Sequence, residues 1–167
     1  GVILPGASAA IKSTASGRIG VIGTPMTVSS DIYRQKIEAL SPEMQVESLA
    51  CPKFVPLVES NELHSSLTKK VVYETLQPLA GRVDTLVLGC THYPLLMNSI
   101  VKHVPQGVRI VPQGEYVANS LQQYLQRHPE IDALCTKQRT VRYLTTENKD
   151  KFKENAQIFL HEQIDCQ

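Results

Sequence analysis

Apolar residues in this chain fall into two kinds of pattern. Short unbroken runs predict buried strands, and recurrence every three or four positions predicts amphipathic helices. Gly1-Val2-Ile3-Leu4 has the form of a strand tail, which Pro5-Gly6 turns into a small-residue helix over Ala7 to Ser13. Arg18 to Gly23 is a short apolar strand ending at Thr24-Pro25-Met26-Thr27. A helix follows over Ser30 to Leu40, with Ile32, Tyr33, Ile37 and Leu40 as its apolar face and Ser29 or Ser30 as its cap. Val46 to Ala50 predicts a second strand. A long helix follows over Glu62 to Gln77, carrying Leu63, Leu67 and Val71 and capped by Asn61. Val83 to Leu88 predicts a strand, Pro94 to Val104 a helix, Val108 to Val111 a strand and Gly114 to Leu125 a helix with Val117, Leu121, Tyr124 and Leu125 on one face. Arg127 to Lys137 reads as a loop and Thr140 to Leu144 as a strand. Lys149 to Leu160 reads as a last helix burying Phe152, Ala156, Phe159 and Leu160.

Strand and helix alternate throughout, so the fold class is α/β, a helix-flanked and mainly parallel sheet. The chain has 167 residues, enough to bury a core without disulfides or metals. Its 17 basic and 16 acidic residues nearly cancel, which argues against nucleic acid or an anionic membrane as partner. No apolar stretch approaches the ~20 residues of a membrane span. The first residues lack the basic, apolar, small-residue layout of a signal peptide. The expectation is a cytoplasmic protein. No Met precedes Met26, so the chain reads as processed or as a piece of something longer.

Cys51, Cys90, Cys135 and Cys166 include no C-x-x-C pair, so neither a zinc ribbon nor a thioredoxin-type motif is indicated. They are expected as free thiols. No metal site is expected. Gly-x-Gly-x-x-Gly and the Gly-Lys-Ser/Thr phosphate loop are both absent from the sequence, leaving nucleotide binding without positive support.

Chemistry concentrates in Leu88-Gly89-Cys90-Thr91-His92-Tyr93-Pro94. Cys90 follows a predicted strand and precedes a predicted helix, the position where α/β proteins line their ligand crevice. A helix start nearby favours a thiolate, and His92 is within reach of a thiol, a substrate or a carboxylate. A reactive Cys-His pair can be a thioester-forming nucleophile or a proton-transfer thiol. A buried, inert cysteine beside a capping Thr91 is the bland alternative. Thr24 and Thr27 flank another strand-end turn, as donors to an anionic substrate or as ordinary helix caps. Glu59 either pairs with His92 or is a solvated acid. Cys51, without a histidine beside it, ranks well below Cys90.

These residues resemble the glutamate racemase family, within the aspartate/glutamate racemase superfamily. The match runs from Gly1-Val2-Ile3 to the last helix and is most specific at Leu88-Gly89-Cys90-Thr91-His92-Tyr93-Pro94-Leu95-Leu96. Val21-Ile22-Gly23-Thr24 with Thr27, Ser30 and Tyr33 is a second match, and Cys51-Pro52 through Val58-Glu59 a third. Tyr143-Leu144-Thr145-Thr146 and Phe152 to Leu160 resemble the family's C-terminal segment.

The resemblance implies interconversion of L- and D-glutamate without a cofactor, through two cysteines on opposite faces of the α-carbon, supplying D-glutamate for bacterial peptidoglycan. It implies that Cys90 is one of those thiols, that His92 assists it and that Glu59 pairs with His92, the three forming the catalytic set. Thr91, His92, Thr24 and Thr27 are then substrate contacts, and the partner is the small molecule glutamate, with room for a homodimer. The family's opening Asp-Ser segment and its other cysteine, in an Asn-Thr context, are absent here. Val111-Pro112-Gln113-Gly114 also departs from the Asp-Ser-type residues usual at that turn. The expected organisation is a second racemase lobe over residues 1–106, carrying Cys90, and a segment over 107–167 that returns to a first lobe outside this chain. Such a fragment has half an active site. A racemase for aspartate or another amino acid, or a non-catalytic binding lobe, are the alternatives.

Overall fold

The structure, a computed structural model, describes residues 1–138, 140–146 and 148–166. It divides into two compact units, Gly1–Tyr124 and Leu125–Gln167.

The first unit is built on four parallel strands: β1 (Arg18–Gly23), β2 (Gln45–Ala50), β3 (Thr85–Leu88) and β4 (Arg109–Pro112), in the order β2-β1-β3-β4. β1 and β2 pair from Arg18 opposite Gln45 to Gly23 opposite Ala50. β3 pairs with β1, ending with Leu88 opposite Ile22, and β4 pairs with β3, ending with Pro112 opposite Leu88. The chain steps outward from β1 to β2, then crosses back to β3 on the other side of β1. β1 and β3 are therefore the strands at which the order reverses, and their C-terminal ends open the crevice characteristic of such sheets. β4 is part of this sheet, and the first unit extends to Tyr124.

Alternation along the strands sends side chains to both faces, and both are covered. On one face Ile19, Val21, Val87 and Val111 pack with Ala7 and Ala10 of α1 (Ile3–Ser13) and with Tyr33 and Ile37 of α3 (Ile32–Leu40). On the other, Leu86 meets Leu76 at the end of α5 (Ser66–Leu76) and His103 at the end of α6 (Met97–His103) around a small cavity. Phe54 of α4 (Phe54–Glu59) sets its ring against that of Tyr93 at 5.2 Å in a T-shaped contact.

Several local expectations change. Ile3 lies in α1, so the opening apolar residues are helical and not a strand tail. α2 (Pro25–Ser29) intervenes before α3, and the Ser29 and Ser30 hydroxyls bond back to the Met26 and Thr27 carbonyls. Asp31, in the left-handed region at φ 52, precedes α3 instead. α5 begins later than expected, because Ser65 and not Asn61 supplies the cap, its hydroxyl accepting from Thr68 N. A 3-10 turn (Tyr93–Leu96) precedes α6 where one continuous helix was expected.

α7 (Gln113–Arg127) runs from β4 into the second unit. There α8 (Pro129–Asp132) occupies part of the expected loop. α9 (Lys149–Leu160) is capped by Asn148, which accepts from the Asp150 and Lys151 backbone N–H groups. The Thr140 to Leu144 strand is not formed. Tyr143 makes one parallel bridge to Cys166. Neither α7 nor α9 has a fully buried residue: on the face of α9 expected to be buried, Phe152, Ala156 and Phe159 are half-buried and Leu160 is exposed, and Leu121 of α7 is 57% exposed. Among the described residues no helix is long and apolar enough to cross a membrane.

Candidate active site

The site forms where β1 and β3 end side by side. Gly89 N donates to Ile22 O at 2.7 Å, extending the β1–β3 ladder one residue past β3 and delivering Cys90 to the crevice. Gly89 is required there by space: a Cβ would stand 2.7 Å from the Ile22 carbonyl oxygen and 3.3 Å from the Tyr33 ring. After Cys90 the chain tightens, with Tyr93 N donating to Cys90 O and the 3-10 turn following.

That turn folds His92 back on the thiol. Cys90 Sγ lies 3.8 Å from His92 Nδ1, and His92 Nε2 lies 3.4 Å from Glu59 Oε1 at the end of α4. A carboxylate at Nε2 favours the ring proton on that nitrogen and leaves Nδ1 as acceptor for the thiol proton. The order thiol, imidazole, carboxylate is thus one in which a proton can leave sulfur and return to it. Cys90 and His92 are half-buried and Glu59 is exposed, so a small polar molecule can reach them.

Tyr93 fixes the neighbouring strand end. Its buried hydroxyl donates to Cys51 O at 3.2 Å, and Cys51 N donates to Gly23 O at 2.8 Å. Burial pushes the Cys51 thiol up to about 12, with the charge of Cys90 adding to the rise. Burial likewise raises the Tyr93 phenol, helped by Cys51 and Cys90. Cys51 is buried at the end of β2, whereas Cys90 is half-buried just past the end of β3.

The structure brings Cys90, His92 and Glu59 into one group. Thr24 and Thr27 stand at the end of β1, where Thr24 Oγ1 accepts from Thr27 N at 3.3 Å and the two hydroxyls lie 3.0 Å apart. They cap α2, and Pro25 occupies a first-turn position. Thr91 is exposed in the turn between Cys90 and His92. Sequence reasoning missed Gln113 and the part played by Tyr33. Gln113 Nε2 donates to Leu88 O at 2.9 Å. Its signal was the departure at Val111-Pro112-Gln113-Gly114, and a polar residue opening a helix gives no sign of reaching back to a neighbouring strand. Among the described residues no group of three or more His, Cys, Asp or Glu could hold a metal ion.

These features define an α/β protein that sets a thiol and an imidazole at the reversal point of a parallel sheet. The chain belongs to the Asp/Glu/Hydantoin racemase family, whose model matches residues 2–121. It is 66% identical over its full length to a glutamate racemase of Streptococcus sanguinis and 60% identical over 98% of its length to one of Streptococcus gordonii. It spans only 63% and 62% of those two proteins. All of it also superposes on 62% of the glutamate racemase isoform RacE1 of Bacillus anthracis, with TM-score 0.91 and 36% identity. A glutamate racemase of Francisella tularensis, solved in complex with D-glutamate, matches 99% of the chain over 60% of its own length, with TM-score 0.85 and 26% identity.

Proposed function

We propose that this chain is the part of a glutamate racemase that carries one of its two proton-transferring thiols. The observation that carries the reading is the Cys90–His92–Glu59 order, with Sγ 3.8 Å from one ring nitrogen and the carboxylate 3.4 Å from the other. The streptococcal relatives and the D-glutamate complex of a structural neighbour support glutamate as the substrate.

In this reading Cys90, as thiolate, takes the α-proton of L-glutamate. The C–H bond breaks, an S–H bond forms, and the electron pair remains on the α-carbon. A second thiol, on a lobe outside this chain, delivers its proton to the opposite face. In the reverse direction Cys90 is the donor. Inversion needs an acid and a base on opposite faces, because one group on one face can only return the proton it removed. No cofactor takes part, so the developing charge is met by placed donors and by exclusion of water. Thr91, His92, Thr24 and Thr27 are the proposed substrate contacts, with Glu59 acting through His92. The product, D-glutamate, would be made in the cytoplasm for peptidoglycan.

The test is exchange of solvent deuterium into the α-position of glutamate and of aspartate by the intact protein. The expected result is faster exchange into glutamate, with racemisation lowered about 10²- to 10⁴-fold in both directions by Cys90→Ala. The 167-residue chain alone should racemise negligibly. Unchanged turnover in Cys90→Ala, or robust turnover by the chain alone, overturns the assignment. Preference for aspartate would select the related racemase.

A further inference from the structure

The β3–β4 ladder ends just where β3 delivers Cys90. Leu88 is opposite Pro112, and α7 begins at the next residue. There the Leu88 carbonyl accepts from a side chain, Gln113 Nε2, at 2.9 Å. Gln113 can reach it because α1 makes room: a Cβ on Gly6 would stand 2.8 Å from Gln113 Oε1 and 3.2 Å from its Cδ.

The other end of the same amide faces a buried phenol. Gln113 Oε1 and the Tyr33 hydroxyl are both buried, and neither has a well-formed hydrogen bond among the described residues. Tyr33 is 2% exposed. Burial pushes its phenol up to about 12; the Gln113 side chain opposes the rise and the charge of Cys90 adds to it, so Tyr33 neighbours both groups. The same ring lies against Gly89, within 3.3 Å of where a Cβ would stand. Gln113 and Tyr33 thus grip the Leu88–Gly89 peptide, one by its carbonyl and the other by its α-carbon. Cys90 is the next residue.

We propose that Gln113, backed by Tyr33, is a positioning residue for the Cys90 thiol. Its amide ties the Leu88 carbonyl to the start of α7 and so sets where the strand end, and with it the sulfur, stands. The inference deepens the racemase reading, since a proton-transfer thiol must be held to a fraction of an ångström against the α-carbon.

The experiment uses two changes in the intact protein. Gln113→Leu keeps the bulk and removes the amide. Gly6→Ala leaves Gln113 in place chemically but puts a methyl group where its side chain lies. Alanine favours a helix over glycine, so this variant separates positioning from loss of helix stability. Iodoacetamide labelling of Cys90 is read by peptide mass spectrometry against Cys135, an exposed thiol that serves as internal control. Both variants should change the Cys90-to-Cys135 labelling ratio by about threefold or more and lower kcat about tenfold, with KM within about twofold. Tyr33→Phe, which keeps the ring on Gly89, should shift both readouts in the same direction by less.

An unchanged labelling ratio or an unchanged kcat in the folded variants overturns the proposal. If Gln113→Leu does not fold, Gly6→Ala decides alone. A changed ratio in a protein that racemises nothing, wild type included, supports the grip on the thiol and overturns the racemase reading instead, so the two failures are distinct.

Discussion

Replacing Gly89 by alanine strikes the point where the sheet hands Cys90 to the crevice. Gly89 is not in the left-handed region, so the cost is not backbone strain. It is collision: the new Cβ would stand 2.7 Å from the Ile22 carbonyl oxygen, which is backbone in the neighbouring strand and cannot swing aside. Restoring an ordinary 3.4 Å contact requires about 0.7 Å of separation between β1 and the end of β3. That movement stretches the Gly89 N to Ile22 O hydrogen bond, now 2.7 Å. Overpacking costs about 1–3 kcal/mol and a weakened buried hydrogen bond about 1 kcal/mol more. The sum, about 2–4 kcal/mol, is less than the 5–15 kcal/mol stability typical of a folded domain. The variant should therefore fold, with a lower urea midpoint and an unchanged m-value. Its sulfur should be displaced by a similar fraction of an ångström, which lowers kcat about 10- to 100-fold. Urea unfolding followed by circular dichroism and racemisation at saturating glutamate measure the two effects on one preparation. Wild-type stability together with wild-type kcat in Gly89→Ala would refute both the close approach and the claim that this contact sets the thiol's position.

Glu59→Gln should leave stability within about 0.5 kcal/mol, because the pair with His92 is solvent-exposed. It should lower kcat roughly 3- to 30-fold through loss of the favoured tautomer; unchanged turnover would show that water orients the ring as well. Tyr93→Phe removes the donor to the Cys51 carbonyl and should cost about 1–2 kcal/mol in urea unfolding, a neutral change arguing against that tie between strand ends. Asp84 lies at the opposite end of the sheet. Burial disfavours its charge, but hydrogen bonds from the Thr14 hydroxyl and the Ser16 and Ala15 N–H groups outweigh it and hold the carboxyl well below its usual range. A folded-state pKa below the unfolded ~3.9 gives stability that is present above pH ~4 and lost as pH falls further. Asp84→Asn should therefore be less stable than wild type at pH 7 by about 1–2 kcal/mol, after allowing for solvent screening, with the gap closing below pH ~4. A gap independent of pH would contradict the linkage.

What was legible in the sequence is what depends on local pattern. Arg18–Gly23 announces a strand because five consecutive residues are apolar or glycine, and all five are buried. The thiol and imidazole are legible because they lie two residues apart at a strand end. The start of α1 is not legible, since Val2-Ile3-Leu4 has the density of a strand, although Ile3, Ala7 and Ala10 already carry helical spacing. α4 was hidden by Pro56, which lies in the first turn where a missing N–H costs nothing. In α5 the expected stripe included Leu67, which is 56% exposed, while Thr68 and Val72 are buried. An apolar count cannot see that Thr68 turns inward to donate its hydroxyl to the Glu62 carbonyl. Gln113 was not legible for a different reason. Its partner, Leu88, is 25 residues away and becomes a neighbour only once β4 pairs with β3.

In the racemase reading the same topology calls for a second wall. A sheet that reverses its order between β1 and β3 places its chemistry in a crevice at the strand ends, open on the side away from the sheet. The side chain of His92 is 35% exposed and that of Glu59 58%. Removing an α-proton from an amino acid without an electron sink requires that water be kept from the developing charge, because in water the placed donors lose most of their advantage. Orientation and exclusion are thus separate tasks. In the racemase reading the residues of this chain perform the first: Gly89, Gln113 and Tyr33 set the thiol, and Glu59 sets the imidazole. The second falls, in the racemase reading, to the lobe that brings the other thiol. One added surface then supplies both the opposite proton and the dry site. It follows that Cys90 in this chain alone should label readily with a small alkylating agent, and that a substrate-sized competitor should protect it only when the second lobe is present.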